Sequence, residues 1–197
     1  MNDTMSVVQK LASLASISGG YSFRGAVPEV AGGPLRVVQM KDVCTDGTLS
    51  WETTLRAEMP KSRRPLNLLQ QDDVLVLSRG LRYSATHVNS IPGPALCTLH
   101  FFLIRANKGS PLAMDFLAWQ INQDPAQRYL IQNAEGSAQR SIRRSVLEDL
   151  LIVLPPIEIQ RLVVELDRQA KAERDKLQTL IDNRTKQLKL LAKELLK

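Results

Sequence analysis

Basic and amide side chains are concentrated in four polar stretches of the sequence, and these residue types are suited to contacting nucleic acid. Arginine and glutamine can each form two hydrogen bonds with a base edge in the major groove, to guanine and adenine respectively. Lysine and further arginine residues can neutralise phosphates and fix the register of a protein on the duplex. We therefore predict DNA contacts from Arg24, Lys61, Arg63, Arg64, Ser78, Arg79, Arg82, Tyr83, Gln139, Arg140, Arg143 and Arg144.

The sequence offers no recognisable catalytic centre beside these stretches. It contains no G-x-x-x-x-G-K-[ST] phosphate loop, no G-x-G-x-x-G and no G-x-S-x-G elbow. His87 and His100 have no acid or cysteine at ligand spacing, which predicts structural or surface roles. Asp72 and Asp73 precede an apolar strand without a following Glu-x-Lys, and we expect both carboxylates to stay solvated. The sequence thus predicts a non-catalytic protein without metal or other cofactor, and four basic stretches then favour DNA binding over isolated surface charges.

Composition and charge are compatible with this interpretation. Lys and Arg number 26 against 20 Asp and Glu, and the net charge of +6 permits an anionic partner without demanding one. No apolar run reaches membrane-spanning length, so we expect no membrane association. The start MNDTMSVVQK lacks the cationic and apolar parts of a secretion signal. With only Cys44 and Cys97 present, we predict a reduced, cytoplasmic protein whose thiols are structural.

The elements that would carry the polar stretches are predicted from the spacing of apolar residues. Helical spacing over residues 4–16, ended by SGG at 18–20, predicts a short amphipathic helix. Between residues 19 and 109, short β-rich runs alternate with Gly, Pro and Asp clusters. This pattern predicts a twisted, mainly antiparallel sheet with irregular loops.

The second half of the predicted globular domain returns to helical spacing. Residues 111–133 predict helix, with a break at Asp124-Pro125. A loop at 136–140, a short turn or helix in SIRRSVLED and a buried strand in LLIVLP are expected to follow. We therefore predict an α+β fold in which residues 1–155 form a β-rich globular domain with short helices.

Residues 156–197 predict one long C-terminal helix, because no Gly or Pro follows Pro156. Such a helix spans about 60 Å, more than the width of the domain before it. Its apolar residues alternate at four- and three-residue spacing, which predicts coiled-coil packing against another helix. We call these residues the seam: Ile159, Val163, Leu166, Ala170, Leu177, Ile181, Leu188, Leu191 and Leu195. We expect a second copy of the chain to supply the partner helix; the alternative is a helix folded back onto its own domain.

The stretch EGSAQRSIRRSVLEDLLIVLPPIEIQRLVVEL, residues 135–166, resembles the end of a target recognition domain in specificity (S) subunits of type I restriction-modification enzymes. The shared features are a glycine-containing loop, an apolar strand, Pro-Pro and a Glu-Gln start to a long helix. Upstream, VQKLASLASISGGYSFRG, LRVVQMKDV and DDVLVLSRGLRYSATHV are similar to the opening and central strands of that domain, so the resemblance covers essentially the whole chain. One departure is Ile159, where the family usually has an acid before Gln160.

This resemblance implies a function for both parts of the chain. Family S subunits carry two recognition domains, each reading half of a split DNA target, and two long antiparallel helices that set the spacing. The present chain resembles a half-size form, with a target recognition domain at 1–155 and a dimerisation or spacer helix at 156–197. Two copies would then pair and read a split palindrome in double-stranded DNA. The family's partners are adenine methyltransferase (M) and endonuclease (R) subunits.

Three alternatives stay open at this point. The first is a non-catalytic coiled-coil adaptor whose globular domain binds another protein. The second is an enzyme whose site has no recognisable motif. The third is a piece or decayed copy of a longer S subunit, against which we weigh the initial methionine and the entire recognition domain.

Overall fold

The structure is a computed structural model, and it describes residues 6–44, 47–62, 65–137 and 139–196. The first half of the chain forms β1 (Val7–Lys10), α1 (Leu11–Leu14), β2 (Ala15–Gly19), β3 (Leu35–Val38), the 3₁₀ helix η1 (Met40–Asp42), β4 (Leu55–Ala57), β5 (Val74–Leu77), β6 (Ala85–His87), β7 (Ala95–Cys97) and β8 (Phe101–Ala106). The second half forms α2 (Met114–Ile121), α3 (Asp124–Gln132), α4 (Arg144–Glu148), β9 (Leu151–Leu154) and α5 (Ile157–Leu195). This order confirms the predicted α+β class, with a β-rich domain and a long final helix.

In the described residues, three small sheets form the β-rich domain. The largest has the order β2-β8-β5-β6 and is antiparallel throughout. The second has the order β4-β3-β7, and its β3–β7 pair is parallel. The third pairs β1 with β9 and so joins the two ends of the domain. The sheets are thus mainly antiparallel, as predicted, with one parallel exception.

Alternating side chains of β5 divide the interior between the two faces of the largest sheet. Val74 and Val76 lie in the main core, which α1, α2, α3 and α4 cover. Leu75 points to a second core, shared with β7 and the end of β3. This is the two-residue period of a strand buried on both faces. The loops at the ends of these strands are therefore anchored on a packed scaffold.

The predicted helix over residues 4–16 is wrong for most of its length. Val7–Lys10 is strand β1, and only Leu11–Leu14 forms a single helical turn before β2 begins. The strand is held by pairing with β9, from Val7 opposite Leu154 to Lys10 opposite Leu151. Tertiary pairing thus overrides the local helical spacing of apolar residues.

Strand β9 is half exposed, which corrects its prediction as a buried strand. Ile152 and Leu154 are buried in the main core, whereas Leu151 and Val153 are exposed. Val8, opposite Val153, is exposed as well. The ribbon of β1 and β9 therefore presents an apolar outer face, which we call the ribbon face: Val8, Leu151 and Val153.

Asp73 is buried, contrary to the expectation that both Asp72 and Asp73 stay solvated. Its carboxylate accepts two hydrogen bonds from Arg105, one from Nε and one from Nη2, both at 2.8 Å. It also accepts the backbone N–H of Gln70 at 2.6 Å. A bidentate pair of this kind satisfies a charge that burial would otherwise destabilise. Asp72 is exposed and lies 3.1 Å from His87.

Gln160 fixes the start of the long helix on the domain, and its side chain is only 1% exposed. Its Nε2 donates to the carbonyls of Pro111 at 3.1 Å and Pro155 at 2.9 Å. Its Oε1 accepts the N–H of Ala113 at 2.9 Å. The glutamine therefore joins α5, the Pro-Pro turn and the segment before α2.

Helix α5 has 39 residues and leaves the domain after its first turns. Val163 and Val164 pack against the main core, and the helix contacts α2. At about 1.5 Å per residue the helix spans roughly 58 Å. Beyond Lys171 every described residue is exposed, so the helix does not fold back along its own domain. No helix in the described ranges is long and apolar enough to cross a membrane.

Candidate nucleic-acid interface

Backbone hydrogen bonds join two of the predicted basic stretches into one surface. The N–H of Ile142 donates to the carbonyl of Ser78 at 2.9 Å, and the N–H of Gly80 donates to the carbonyl of Arg140 at 3.2 Å. Arg79 lies between these two links. The loop after β5 and the loop before α4 are therefore adjacent, although about sixty residues of sequence separate them.

The stretch around Arg24 approaches the same surface through the start of β8. The N–H of Ser78 donates to the carbonyl of His100 at 2.8 Å. Two residues earlier, Thr98 pairs with Tyr21, three positions before the exposed Arg24. A cavity of about 340 Å³ lies between these segments. Its lining includes Tyr21, Phe23, Gln39, Lys41, Thr98 and His100.

Arg79 and His100 determine the electrostatics where these loops meet. Burial, together with the charge of Arg79, lowers the pKa of His100. The imidazole is therefore neutral at neutral pH, and arginine and lysine supply the positive charge of this surface. Within the described part of the chain, Arg79 Nε and His100 Nδ1 are buried atoms without a hydrogen-bond partner.

Among the described residues, the exposed basic and amide side chains before α4 divide into two without an ion pair and two held in ion pairs. Gln139 and Arg140 are exposed, and Arg140 Nη2 donates to the carbonyl of Ala134 at 3.3 Å. Arg143 pairs with Glu135, and Arg144 pairs with Glu148 at 2.7 Å. Because exposed ion pairs contribute little free energy, a phosphate could replace either carboxylate at small cost.

Two predicted DNA contacts, Ser78 and Tyr83, are buried, and their prediction is not compatible with this structure. Tyr83 is 1% exposed and belongs to the main core. Its N–H donates to Gln127 Oε1 at 3.1 Å, and its carbonyl accepts from Gln127 Nε2 at 3.0 Å. Ser78 Oγ donates to the carbonyl of His100 at 2.9 Å. Both residues hold the loop against the domain through these hydrogen bonds.

The other residues predicted to bind DNA are not joined to these loops by the hydrogen bonds given above. Arg82 Nη2 donates to the carbonyl of Asn122 at 2.9 Å, beside a polar cavity of about 350 Å³ that residues of α5 also line. Lys61 is exposed in the long loop between β4 and β5. Arg63 and Arg64 lie outside the described residues. We call the assembled set the basic surface: Arg24, Arg79, Gln139, Arg140, Arg143 and Arg144.

Sequence reasoning missed three polar residues beside the basic surface. Gln39 and Lys41 line the cavity together with His100. For His100 the sequence predicts only a structural or surface role. Nothing in their local sequence distinguishes them, because β3 and β8 bring them to the cavity from distant positions. Among the described residues, no group of three His, Cys, Asp or Glu side chains could hold a metal ion.

The predicted seam of α5 is exposed except at Val163. Val163 is half buried against the main core. The other eight seam residues are exposed: Ile159, Leu166, Ala170, Leu177, Ile181, Leu188, Leu191 and Leu195. Leu162 and Leu180, which the sequence analysis left out, widen the stripe on one side and are exposed too. At about 100° per residue, the seam positions lie roughly 60–140° around the helix from the buried Gln160, so the stripe runs beside the face of the helix that meets the domain.

No family model matches this chain. No curated protein matches it either. Solved structures do. An HsdS subunit from Thermoanaerobacter tengcongensis matches with a TM-score of 0.60 and 16% identity over 91% of this chain and 40% of that one. A type I restriction-modification S subunit from M. genitalium matches with a TM-score of 0.56 and 14% identity over 92% and 43%.

A third match comes from a structure on complex assembly and conformational transition of the type I R-M system. Its TM-score is 0.65 and its identity 18%, over 90% of this chain and 40% of that one. The present chain therefore has the fold of HsdS specificity subunits, which confirms the fold that the resemblance implies. It spans about two fifths of the length of each of these three chains.

Proposed function

We propose that this chain is the non-catalytic DNA-recognition subunit of a type I restriction-modification system. It would direct adenine methyltransferase and endonuclease subunits to a bipartite DNA target. The observation that carries the proposal is the fold match to S subunits over 90–92% of the chain. The chain's single globular domain and single long helix correspond to half of the arrangement that such a subunit would need.

We assign DNA contact to the basic surface. Gln139 and Arg140 are exposed beside Arg79 on a loop pair fixed by backbone hydrogen bonds, which suits them to reading base edges. Arg143 and Arg144 are held in exposed ion pairs and are suited to phosphates. Arg24 extends the surface on the side of β8. No side chain of this set needs to take part in a reaction, because the partner subunits supply the chemistry.

We propose further that two copies pair through the seam and so form the two-domain reader. Seven large apolar seam residues are exposed on each helix. Full burial of such a side chain contributes about 1.5–3 kcal/mol, while association costs about 4–15 kcal/mol in lost freedom. The stripe can therefore support a stable pair. A symmetric pair would read a split palindrome, whose half-sites mirror the symmetry of the protein.

A cytoplasmic location accords with the cysteines of the chain. Cys44 is exposed and Cys97 is buried, and neither forms a disulfide. Reduced thiols are usual in the compartment where a restriction system meets DNA.

Selection from a randomised duplex library tests the DNA-binding part of the proposal. The purified chain should enrich two short conserved blocks, in inverted orientation, separated by a fixed unconserved spacer. The matched control is Arg140→Glu, which reverses the charge at an exposed site. The backbone carbonyl of residue 140 can still accept the N–H of Gly80, so the loop should keep its structure while enrichment is lost. Enrichment of no sequence by the wild-type chain, alone and with a methyltransferase subunit, would exclude a recognition function.

A protein-binding adaptor is the second candidate, and one observation favours it. The ribbon face adjoins an apolar groove of about 660 Å³ lined by Trp119, Pro125 and Tyr129. Contiguous apolar surface of this kind is typical of protein contacts. Under the first proposal the groove would be available to a methyltransferase subunit. Under the second it would be the principal site of the molecule, and DNA selection would give nothing.

A further inference from the structure

Leu81 is the most exposed large apolar side chain in the described part of the chain, at 98% of its accessible area. It occupies the tip of the loop that follows β5, in the sequence SRGLRY. Gly80 immediately before it has φ +127°, a backbone conformation that side-chain-bearing residues rarely adopt. The turn at this glycine carries the leucine outward from the domain.

The loop that carries Leu81 is fixed on both sides. Before it, Ser78 is bonded to His100 and accepts from Ile142, and Gly80 donates to Arg140. After it, Tyr83 is buried in the core and bonded twice to Gln127. Conformational entropy lost on binding is therefore small, because the leucine is presented by a preordered loop.

The surroundings of Leu81 differ from those of the other highly exposed apolar residues. Most exposed apolar residues of α5 lie along one stripe, and Val8, Leu151 and Val153 form the ribbon face. Leu81 belongs to neither group; in the sequence it stands between Arg79 and Arg82, and the backbone of Gly80 just before it is bonded to that of Arg140. An isolated apolar group within a cationic surface fits a ligand that is anionic overall but carries a local apolar spot.

We propose that Leu81 is a specificity-determining residue that contacts the 5-methyl group of a thymine in the major groove. This inference rests on the proposed DNA recognition. The thymine methyl is the apolar feature that the major groove displays, and it lies between the phosphate rows that arginines contact. Leucine side chains that insert between base steps do so from the minor groove, whereas the arginines near Leu81 are suited to guanine edges in the major groove.

The test compares the wild-type chain, Leu81→Ala and the control Leu151→Ala, which removes an exposed leucine of the ribbon face. Each full-length protein selects from the same randomised duplex library. The best wild-type duplex is then prepared with deoxyuridine replacing thymine at each conserved A·T pair in turn, which removes the methyl group alone.

We expect one A·T position to disappear from the Leu81→Ala motif and to remain in the Leu151→Ala motif. Deoxyuridine at that position should weaken wild-type binding about four-fold, the effect of one buried methyl-sized group, and leave Leu81→Ala unchanged. A wild-type motif that Leu81→Ala reproduces without loss would overturn this inference and leave DNA recognition standing. Equal weakening of every sequence by Leu81→Ala would overturn it as well. Absence of any wild-type motif would remove both.

Discussion

Replacing Gln160 with methionine should destabilise the junction between the globular domain and α5 by about 3 kcal/mol. The substitution keeps the length of the side chain but removes three hydrogen bonds, to Pro111, Ala113 and Pro155. Because Gln160 is 1% exposed, water cannot replace the missing partner. A backbone group left unpaired on burial costs about 1–3 kcal/mol, and because these three bonds are only part-buried the lower end of that range gives the figure above.

Urea denaturation followed by circular dichroism measures this loss. Both proteins should be compared at one concentration, because any pairing of chains would add to apparent stability. The matched control is Gln169→Met on the same helix, whose amide is exposed and donates only to Glu165. A surface change of this kind should alter the free energy of unfolding by about 0.5 kcal/mol or less.

Equal stability of the Gln160→Met and Gln169→Met proteins would refute this reasoning. It would mean that the Pro-Pro turn positions α5 without the glutamine. A loss near 3 kcal/mol for the first and almost none for the second would establish Gln160 as the residue that sets the helix on the domain. The glutamine in the family-like junction would then have a physical role.

Three further results are expected from the same structure. Leu188→Asp should give a 22.0 kDa monomer by light scattering with an intact domain, because it places a charge between large apolar residues of the exposed C-terminal half of the seam. Arg140→Ala should remove one base preference and lower affinity for the best duplex about ten-fold or more. Arg143→Ala should weaken binding to all duplexes alike and reduce the slope of log affinity against log salt by about 0.9. Cys97 should react with a thiol reagent at pH 8 far more slowly than the exposed Cys44, since burial raises the pKa of Cys97 to about 12.

The outcomes that contradict these three expectations differ. A persistent dimer of Leu188→Asp would place the interface elsewhere than the seam. Identical selection motifs for Arg140→Ala and the wild type would remove that residue from base reading. Labelling of Cys97 as fast as Cys44 would show that its strand opens readily.

Stability should also fall as pH rises from about 9 towards 12, because only the unfolded chain then ionises the Cys97 thiol.

The sequence predicted the elements whose signals are local. Pro155-Pro156 and the lack of Gly or Pro afterwards located α5. The predicted break at Asp124-Pro125 is displaced by two residues, because Pro125 stands in the first turn of α3 and α2 ends at Ile121. β-rich runs located β3, β5 and β8. In each case the residues that determine the element are its own, so propensity and periodicity were sufficient.

Features set by distant contacts were not predictable in this way. Val7–Lys10 has helical spacing, yet it pairs with a strand more than 140 residues later. Arg82 and Tyr83 are neighbouring loop residues, yet Arg82 is exposed and Tyr83 is buried. The side chain of Gln127 in α3 forms two hydrogen bonds with the backbone of Tyr83 and holds that residue in the core. Asp73 is buried because Arg105 lies opposite it across the sheet. The orientation of a side chain within a loop depends on such partners.

Light scattering of the purified chain, alone and after addition of an adenine methyltransferase subunit of a type I enzyme, tests the central claim most directly. We expect a mass near 44 kDa for the chain alone, twice 22.0 kDa, and a larger complex once the methyltransferase is present. A 22 kDa monomer that does not bind the methyltransferase would contradict it.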